Sequence, residues 1–407
     1  MGWKYSCIAF LHSFNPLRTK SRLSSTASKA SRYNIEKPFL DKNNLFLKGP
    51  PQLAASHIGL DPYSNRFHHP IVYHENYSFA DWPPKHTFPM DKFARLGHSL
   101  TTTCRTSQPE FSRLPRPLVR RIDDFYRPLD HWIIPRVWFR SIEQSFLHRF
   151  LKGGLEASDE RYIGFREQTS RPELIERTLL EVAGTILAAQ LAYTHGVATN
   201  AAGGTHHAHS AMGAGYTILN DLAITASYLM DESLNNGFIR GIKKVLVIDC
   251  DVHQGDGTAK FMNQWKDLGN EGNLVTLSIH CASNYPQYKA HSTYDVGLPD
   301  GMRDDEYMQT LKESVNRAIE DHDPDFILYD AGVDVYEHDR LGRLNLSEDG
   351  IRQRDRWVIE RCISSGLPVV GVIGGGYDKD VNALARRHAI IHEESAYLWR
   401  KYKMWSQ

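Results

Sequence analysis

The sequence has no long hydrophobic segment, few cysteines and no net charge, and each of these absences excludes a class of protein. No apolar run approaches the ~18 residues that a membrane-spanning helix needs, and the mean hydropathy is −0.46. The five cysteines form no Cys-x-x-Cys pair, which argues against a disulfide framework and against a zinc finger. Basic and acidic residues both number 48, so the chain lacks the excess positive charge that attracts nucleic acid. The sequence therefore predicts no membrane span and no direct nucleic-acid binding.

The zero net charge is the average of two unlike segments. Residues 1–35 hold six basic residues and seven serines, and the first acidic residue of the chain is Glu36. A basic, serine-rich and acid-free N-terminal segment is typical of a transit peptide for a mitochondrion or plastid. A disordered basic tail on a nuclear or cytoplasmic protein is the alternative. We expect a leader over 1–35, a linker over 36–64 and one catalytic domain over 65–400.

Short apolar segments alternate with helical patterns over most of the predicted domain. Pro172 predicts the start of a helix that runs through Leu191, because proline suits a first turn and apolar residues then recur at helical spacing. Further helices are predicted near 303–321 and 347–364. Continuous apolar strands separated by such helices indicate an α/β domain whose parallel sheet is covered on both faces. The predicted strands are 71–73, 245–248, 274–279, 326–329 and 369–373.

Residues with metal-binding chemistry follow two of these strands. The strand 245–248 runs directly into Asp249, Asp251 and His253, and alternate residues of extended backbone point the same way. Carboxylate oxygen and imidazole nitrogen are ligands that zinc takes at about 2.0–2.2 Å, and catalytic zinc typically keeps three protein ligands. Asp334, beyond a later strand, is well placed as the third ligand. Because ligands of open α/β sheets gather beyond the carboxyl ends of the strands, we favour a metal site over a solvated polar turn.

Two glycine-rich loops carry further candidates for catalysis. Glycines precede the adjacent residues His206 and His207, and histidine is the natural proton shuttle near neutral pH. Three glycines precede Tyr377, and a phenol held near a metal can donate a hydrogen bond to a developing oxyanion. A plain turn remains the alternative for either loop, and phosphate binding is a further alternative for the second.

Five motifs follow one another along the chain: Gly-Gly-Thr-His206-His207-Ala, Asn220-Asp221, Asp249-x-Asp251-x-His253-x-Gly-Asp256-Gly-Thr, Gly-Val-Asp334 and Gly-Gly-Gly-Tyr377. In this order they resemble the zinc-dependent histone deacetylases, and the resemblance spans about 65–395. Segments 86–93, 283–286 and 339–344 are most similar to the class IV branch and its bacterial relatives, whereas 105–140 match the family poorly.

The resemblance implies a fold and a set of catalytic roles. The fold is the arginase/deacetylase-like α/β fold, with a central parallel sheet of eight strands and helices on both faces. Zn²⁺ is implied at Asp251, His253 and Asp334. The other implied catalytic residues are His206 and His207 for proton transfer, Asp249 and Asp256 as their respective partners, and Tyr377 for polarising the substrate carbonyl.

The resemblance also implies binding residues. Gly215 and Tyr216 stand where the family lines its acyl-lysine tunnel, with Tyr216 in place of the usual phenylalanine. Asp249 and Ser278 match a structural monovalent-cation site, occupied by K⁺ in relatives. The implied partner is an acyl-lysine protein or peptide.

The function we expect is therefore hydrolysis of the amide of N6-acetyl-lysine, or of a longer acyl-lysine, in proteins. If the leader directs the chain to an organelle, histones are not the main substrate. One alternative is a small-molecule amidohydrolase such as an acetylpolyamine deacetylase, because this fold serves such substrates too. Another is a catalytically silent scaffold, which is disfavoured because the ligands, the histidine pair and Tyr377 are all present.

Overall fold

The computed structural model describes residues 68–102, 118–119, 124–128, 136–235, 237–267, 269 and 272–404. The predicted leader, 1–35, and linker, 36–64, lie outside these residues, as does most of the segment 105–140. The predicted domain boundaries therefore stay predictions.

One parallel sheet runs through the described residues. It has seven strands there, where the resemblance implied eight. The strands are β1 (Ile71–Val72), β2 (Val197–Asn200), β3 (Val245–Asp249), β4 (Leu274–Cys281), β5 (Tyr294–Leu298), β6 (Phe326–Asp330) and β7 (Val369–Val372). Their order across the sheet is β1-β2-β7-β6-β3-β4-β5, and every neighbouring pair is parallel. The predicted α/β class and parallel sheet are confirmed.

Helices lie in the connections between consecutive strands, except between β4 and β5, because parallel strands need crossover connections. Within the described ranges they are α1 (Lys92–Thr101), α2 (Gln144–Leu151), α3 (Ala157–Ile163), α4 (Pro172–His195), α5 (Asp221–Met230), α6 (Asp256–Asp267), α7 (Asp304–His322), α8 (Glu348–Ser364) and α9 (Val381–Lys401). The helices predicted near 171–191, 303–321 and 347–364 are confirmed as α4, α7 and α8. Among the described helices, none combines the length and the hydrophobicity needed to span a membrane.

The central strands are apolar, apart from the aspartates that end β3 and β6, because helices cover both faces of the sheet. Strands β3, β6 and β7 are buried at every position, which explains their unbroken runs of apolar residues. At the edge, β5 alternates between exposed and partly buried positions before its buried last residue. The core therefore lies along the middle of the sheet.

Helix α4 passes through the interior and carries charge into it. Pro172 occupies its first turn, and Gly196 ends it with a positive φ of 84°. Most of its buried residues are apolar, yet Arg177 and Glu181 are buried with them. These two buried charges need an explanation, and their position in the wall of the candidate site gives one.

The sheet order brings four loops together. Strands β2, β7, β6 and β3 are consecutive neighbours and run parallel, so the loops that follow them leave the sheet at one edge. The histidine pair, the metal-binding motifs and Tyr377 lie in these loops. The fold therefore gathers into one place motifs that are far apart in the sequence.

Candidate active site

Asp251, His253 and Asp334 form one buried group at this edge of the sheet. Asp251 and His253 lie in the loop after β3, and Asp334 lies in the loop after β6. His253 Nδ1 is 3.0 Å from an oxygen of Asp251 and 3.1 Å from an oxygen of Asp334. One ligand atom from each residue lies within 4.8 Å of the others. The structure brings the three predicted metal ligands together.

Backbone amides orient both carboxylates of this group. The Val252 N–H donates to Asp334 Oδ1 at 2.9 Å, and the Gly375 N–H donates to Asp251 Oδ2 at 2.7 Å. Position 375 requires glycine, because a Cβ there would overlap Asp334 Oδ2 and lie 2.6 Å from Asp251 Oδ2. The loop after β7 therefore closes one side of the metal-binding group.

The electrostatics of the group fit a divalent cation. Burial, reinforced by Asp251, raises the pKa of the Asp334 carboxyl to about 7. Burial alone would lower the pKa of His253, but its contacts with Asp251 and Asp334 raise it to about 10. A metal ion would take the place of these protons, because ligands must be deprotonated to bind it. Two carboxylates and one imidazole suit zinc and leave one coordination position open.

The predicted K⁺ ligands, Asp249 and Ser278, are partners in register across β3 and β4. Both are buried. Asp249 Oδ1 accepts a hydrogen bond from the Asp251 N–H at 3.1 Å, and Ser278 Oγ is 3.0 Å from His280 Nδ1. The two residues are neighbours, as a shared ion would need, and K⁺ itself stays a prediction.

Each histidine of the pair is held by its own aspartate. The Nδ1–H of His206 donates to Asp249 at 2.8 Å, and the Nδ1–H of His207 donates to Asp256 at 2.7 Å. The two rings lie 4.2 Å apart, centre to centre. Since each Nδ1 is engaged, Nε2 is the nitrogen of either ring that is available to a substrate. All four residues stand in the arrangement that the resemblance implied.

The two histidines differ in charge. Burial opposes the charge of His206, but Asp249 and Asp251 raise its pKa well above the usual value. Burial, together with the charge of His206, lowers the pKa of His207 to about 4. His207 is therefore neutral near pH 7 and able to accept a proton, whereas His206 carries one. Such a division of neighbouring groups is a mark of acid–base sites.

Tyr377 is buried beside the metal-binding group. Its ring centre is 6.3 Å from that of His253, and its backbone N–H donates to Asp339 Oδ2 at 2.7 Å. Burial, reinforced by Asp334, raises the pKa of the phenol well above its usual value. The hydroxyl therefore stays protonated and remains a hydrogen-bond donor. Sequence reasoning placed Tyr377 here but gave Asp339 no role.

Two further tyrosines have rings next to residues of the site, Tyr216 beside Tyr377 and Tyr285 beside His207. Tyr216 has a positive φ of 65° and its ring packs against Phe165 at 5.7 Å, while Gly215 lets the backbone pass close to His207. The half-exposed ring of Tyr285 stands edge-on to His207 at 4.8 Å. Tyr216 and Gly215 were predicted, and Tyr285 was not assigned. Its position in a Ser-Asn-Tyr-Pro segment directly after β4 was the available signal.

Three charged residues of the inner cleft were also missed. Lys92 on α1 and the pair Arg177 and Glu181 on α4 line the same cleft as His206 and Asp251. Charged residues inside the apolar pattern of α4 were the signal that could have found the pair. Lys92 offered no comparable signal, because lysines are common in short helices.

Asp330, the last residue of β6, is a further unassigned group. It is fully buried, and neither side-chain oxygen has a hydrogen-bond partner among the described residues. One oxygen of Asp330 lies 3.7 Å from His206 Nδ1, which is the atom that already donates to Asp249. Burial, reinforced by Asp249, raises the pKa of Asp330 well above its usual value. His206 is thus flanked by two aspartates rather than one.

Comparison with known proteins places this site in a family. The histone deacetylase domain model matches residues 143–392. An uncharacterized protein of Picosynechococcus sp. is 39% identical over 324 residues, which is 79% of this chain and 97% of that protein. Histone deacetylase 2 of Arabidopsis thaliana is 34% identical over 203 residues, 49% of either chain. The crystal structure of the HD domain of HDA15 has the same fold, with a TM-score of 0.60 at 18% identity over 80% of this chain and 87% of that one.

The matched domain covers more than half of the chain and contains the histidine pair, the three predicted metal ligands and Tyr377. Its relatives in archaea, fungi and plants include proteins described as deacetylases. The chain belongs to the histone deacetylase family.

Proposed function

We propose that this protein is a zinc-dependent hydrolase that removes acyl groups from lysine side chains of proteins. The main support is the composition of one cleft, in which metal-binding residues, two buried histidines and a tyrosine share the same walls. An amide carbonyl that entered the cleft would meet every kind of group that hydrolysis requires. The similarity of segments 86–93, 283–286 and 339–344 supports a place in the class IV branch. A K⁺ ion between Asp249 and Ser278 would complete the site.

Each group of the cleft has a separate role in the proposed hydrolysis. When bound, zinc would polarise the amide carbonyl and lower the pKa of water toward about 7. His207 accepts the proton of the attacking water at Nε2, because Asp256 holds its Nδ1–H and burial keeps the ring neutral. The Tyr377 hydroxyl donates a hydrogen bond to the oxyanion that develops on the acyl carbon. The positive charge of protonated His206 also stabilises the negative charge of this oxyanion.

The bonds balance as a simple hydrolysis. The water oxygen forms a new bond to the acyl carbon, and the bond between that carbon and the lysine nitrogen breaks. The proton taken by His207 passes to the leaving amine, and the second proton of the water ionises from the new carboxylic acid and protonates the free amine. The products are therefore a carboxylate and the ammonium form of lysine.

The direct test is hydrolysis by the full chain. Peptides with acetyl-lysine or longer acyl-lysine and an acetylpolyamine are offered, and zinc content is measured on the same sample. We expect about one zinc per chain and release from the peptides. Preference for the acetylpolyamine would favour a small-molecule amidohydrolase. Bound zinc with no release from any substrate would favour a silent scaffold.

A conservative substitution tests the role of Tyr377. Tyr377→Phe removes one hydroxyl, and loss of such a donor typically lowers kcat by about 10²–10³-fold. Tyr288→Phe is the matched control, because Tyr288 is 85% exposed. Equal activity of Tyr377→Phe and the unmodified chain would remove the hydroxyl from the mechanism.

We propose the location of the protein in the cell from the predicted leader, residues 1–35. Six basic residues and no acidic ones in 1–35 support import into a mitochondrion or plastid, where acyl-lysine proteins other than histones would be the substrates. A fluorescent reporter fused to residues 1–40 should enter one of these organelles. A diffuse signal in the cytosol would instead support the alternative that the protein acts in the nucleus or cytoplasm.

A further inference from the structure

Of the five sequence motifs, Asn220-Asp221 is the one without a role in the proposed reaction. Asn220 is the N-cap of α5, and Asp221 is the first residue of that helix. Both residues are fully buried. Buried polar side chains need hydrogen-bond partners, and these two have many of theirs in the loop that carries His206 and His207.

The carboxyl group of Asp221 holds this loop on the N-terminal side of the histidine pair. Its Oδ2 accepts from the Gly204 N–H at 3.2 Å and from the Thr185 hydroxyl at 2.7 Å. Its Oδ1 accepts from the Thr205 N–H at 2.8 Å and lies 2.6 Å from the Thr205 hydroxyl. Position 203 requires glycine for this close approach, because a Cβ on Gly203 would lie 2.5 Å from Asp221 Oδ2. Both oxygens are therefore occupied by neutral donors.

Asn220 holds the same loop around His207. Its Oδ1 accepts from the Ala223 N–H at 2.8 Å, which caps α5. Its Nδ2 donates to the carbonyls of His206 and Ala208, the residues that flank His207, at 3.3 and 3.0 Å. Two consecutive residues at the start of one helix thus hold the loop before and around the histidine pair.

These contacts differ from those of Asp249 and Asp256. The two aspartates bind Nδ1 of the imidazoles, which sets the tautomer and the orientation of each ring. Asn220 and Asp221 bind the backbone from which the rings extend, so they fix where the rings begin. A displacement of about 1 Å can lower a rate by about 10²-fold, so the position of the backbone matters as much as the tautomer.

We propose that Asp221, together with Asn220, is a positioning residue for the hydrolysis: it acts through the loop 204–208 to hold Nε2 of His207 within reach of the attacking water. This inference rests on the proposed function, since it concerns the base of the same reaction.

Asp221→Asn tests the proposal with almost no change of shape. Asparagine has a single acceptor oxygen, so the donors on one side of the group, either Thr205 or Gly204 with Thr185, would face an NH2 group instead. We expect kcat for an acetyl-lysine peptide to fall by about 10–100-fold. KM and zinc content should not change, because the predicted metal ligands lie in other loops, after β3 and β6.

Asp304→Asn is the matched control, because Asp304 has the same surroundings at another helix. It is the first residue of α7, and its oxygens accept from the backbone N–H and the hydroxyl of Ser347 at 2.9 and 2.6 Å. Asp304→Asn should lower the free energy of unfolding and leave kcat unchanged. Urea unfolding and peptide hydrolysis are measured on both variants.

A double-mutant cycle with His207→Ala separates positioning from a general structural role. If Asp221 acts through His207, then Asp221→Asn should lower kcat far less when His207 is already alanine, because the loop no longer carries the base. A general structural role would lower kcat by the same factor in both backgrounds. Asn220→Asp keeps the helix cap but turns an oxygen toward the loop carbonyls, and it should behave in the cycle as Asp221→Asn does.

Thr185→Val is the milder variant in case Asp221→Asn does not fold. It removes one donor to Asp221 and keeps the shape of the side chain, so kcat should fall by a smaller factor, and again mainly when His207 is present.

The outcomes separate this inference from the proposed function. No hydrolysis of any acyl-lysine peptide by the unmodified chain would contradict the proposed function. An unchanged kcat in Asp221→Asn, or an equal fall with and without His207, would overturn the positioning role while leaving the deacylase intact.

Discussion

The two ends of the cleft carry opposite charge and are built from different parts of the fold. The metal end has two carboxylates and a histidine on loops that follow β3 and β6: Asp251, His253 and Asp334. The inner end has two cations and one carboxylate on helices α1 and α4: Lys92, Arg177 and Glu181. The carboxylates of the cleft therefore lie mainly at the metal end, and its lysine and arginine lie at the other.

The difference in construction follows from what each end does. Metal ligands must converge within a few ångströms, and glycine-rich loops allow that close approach at positions such as Gly375. The inner charges must be buried without collapsing onto the metal-binding group, and long helices hold them at fixed positions. The metal end should therefore control the rate of reaction, whereas the inner end should control stability.

The largest effect is expected from a metal ligand. Asp334→Asn replaces a charged ligand by a neutral one, so zinc content should fall and kcat/KM should drop by about 10³-fold or more, since a bound metal contributes several kcal/mol to the transition state. Metal analysis and peptide hydrolysis on the same sample measure both. Asp305→Asn, on the exposed first turn of α7, is the control. Full zinc content and activity in Asp334→Asn would mean that the metal binds elsewhere.

At the inner end, the expected effect is on folding. Glu181→Gln leaves Arg177 charged, buried and without its carboxylate, which should lower the free energy of unfolding by about 3–5 kcal/mol. The exposed ion pair of Asp91 with Arg95 is the comparison, and Asp91→Asn should cost less than about 1 kcal/mol. Urea unfolding measures both. Adding Arg177→Met to Glu181→Gln should restore much of the loss, and equal losses for the two single variants would contradict the distinction between buried and exposed pairs.

Strand prediction from the sequence succeeded where burial is uniform. Strands β3, β6 and β7 are covered on both faces, so their apolar runs identify them directly. Strand β2 was missed because Val197–Asn200 is short and ends in polar residues. Strand β5 was missed because an edge strand alternates and holds a glycine.

Helix α9 was missed for another reason. Buried polar residues such as Arg387, His388 and Glu394 interrupt its apolar pattern, and only tertiary contacts satisfy or shield them. No local rule of the sequence anticipates those contacts.

The candidate site shows the same contrast between residues that local sequence identifies and residues that only tertiary contacts identify. Residues in contiguous motifs, such as Asp251 with His253 and His206 with His207, were found because strand ends bring them together locally. Lys92 and Asp330 were not found, because their importance arises from packing between distant segments. A lone lysine or the last aspartate of a strand has no distinguishing neighbours in the sequence.

The smallest effect is expected from His209, which shares Asp256 with His207. One oxygen of Asp256 accepts from His207 Nδ1–H at 2.7 Å, and the other lies 3.1 Å from His209 Nε2. Burial opposes the charge of Asp256, but the contacts with both histidines lower its pKa. Asp256→Asn should therefore reduce kcat/KM by roughly 10–100-fold, as changes to the partner of a functional histidine do.

His209→Leu removes the weaker of these two contacts and leaves the bond to His207, so the reduction should be smaller, about two- to fivefold. Hydrolysis of an acetyl-lysine peptide measures both variants, with His291→Leu on the exposed surface as the control. Because His209 is partly exposed beside the cleft, a second role is distinguishable. If His209→Leu lowers kcat/KM as much as Asp256→Asn and does so mainly through KM, then His209 contacts the peptide directly instead of acting through Asp256.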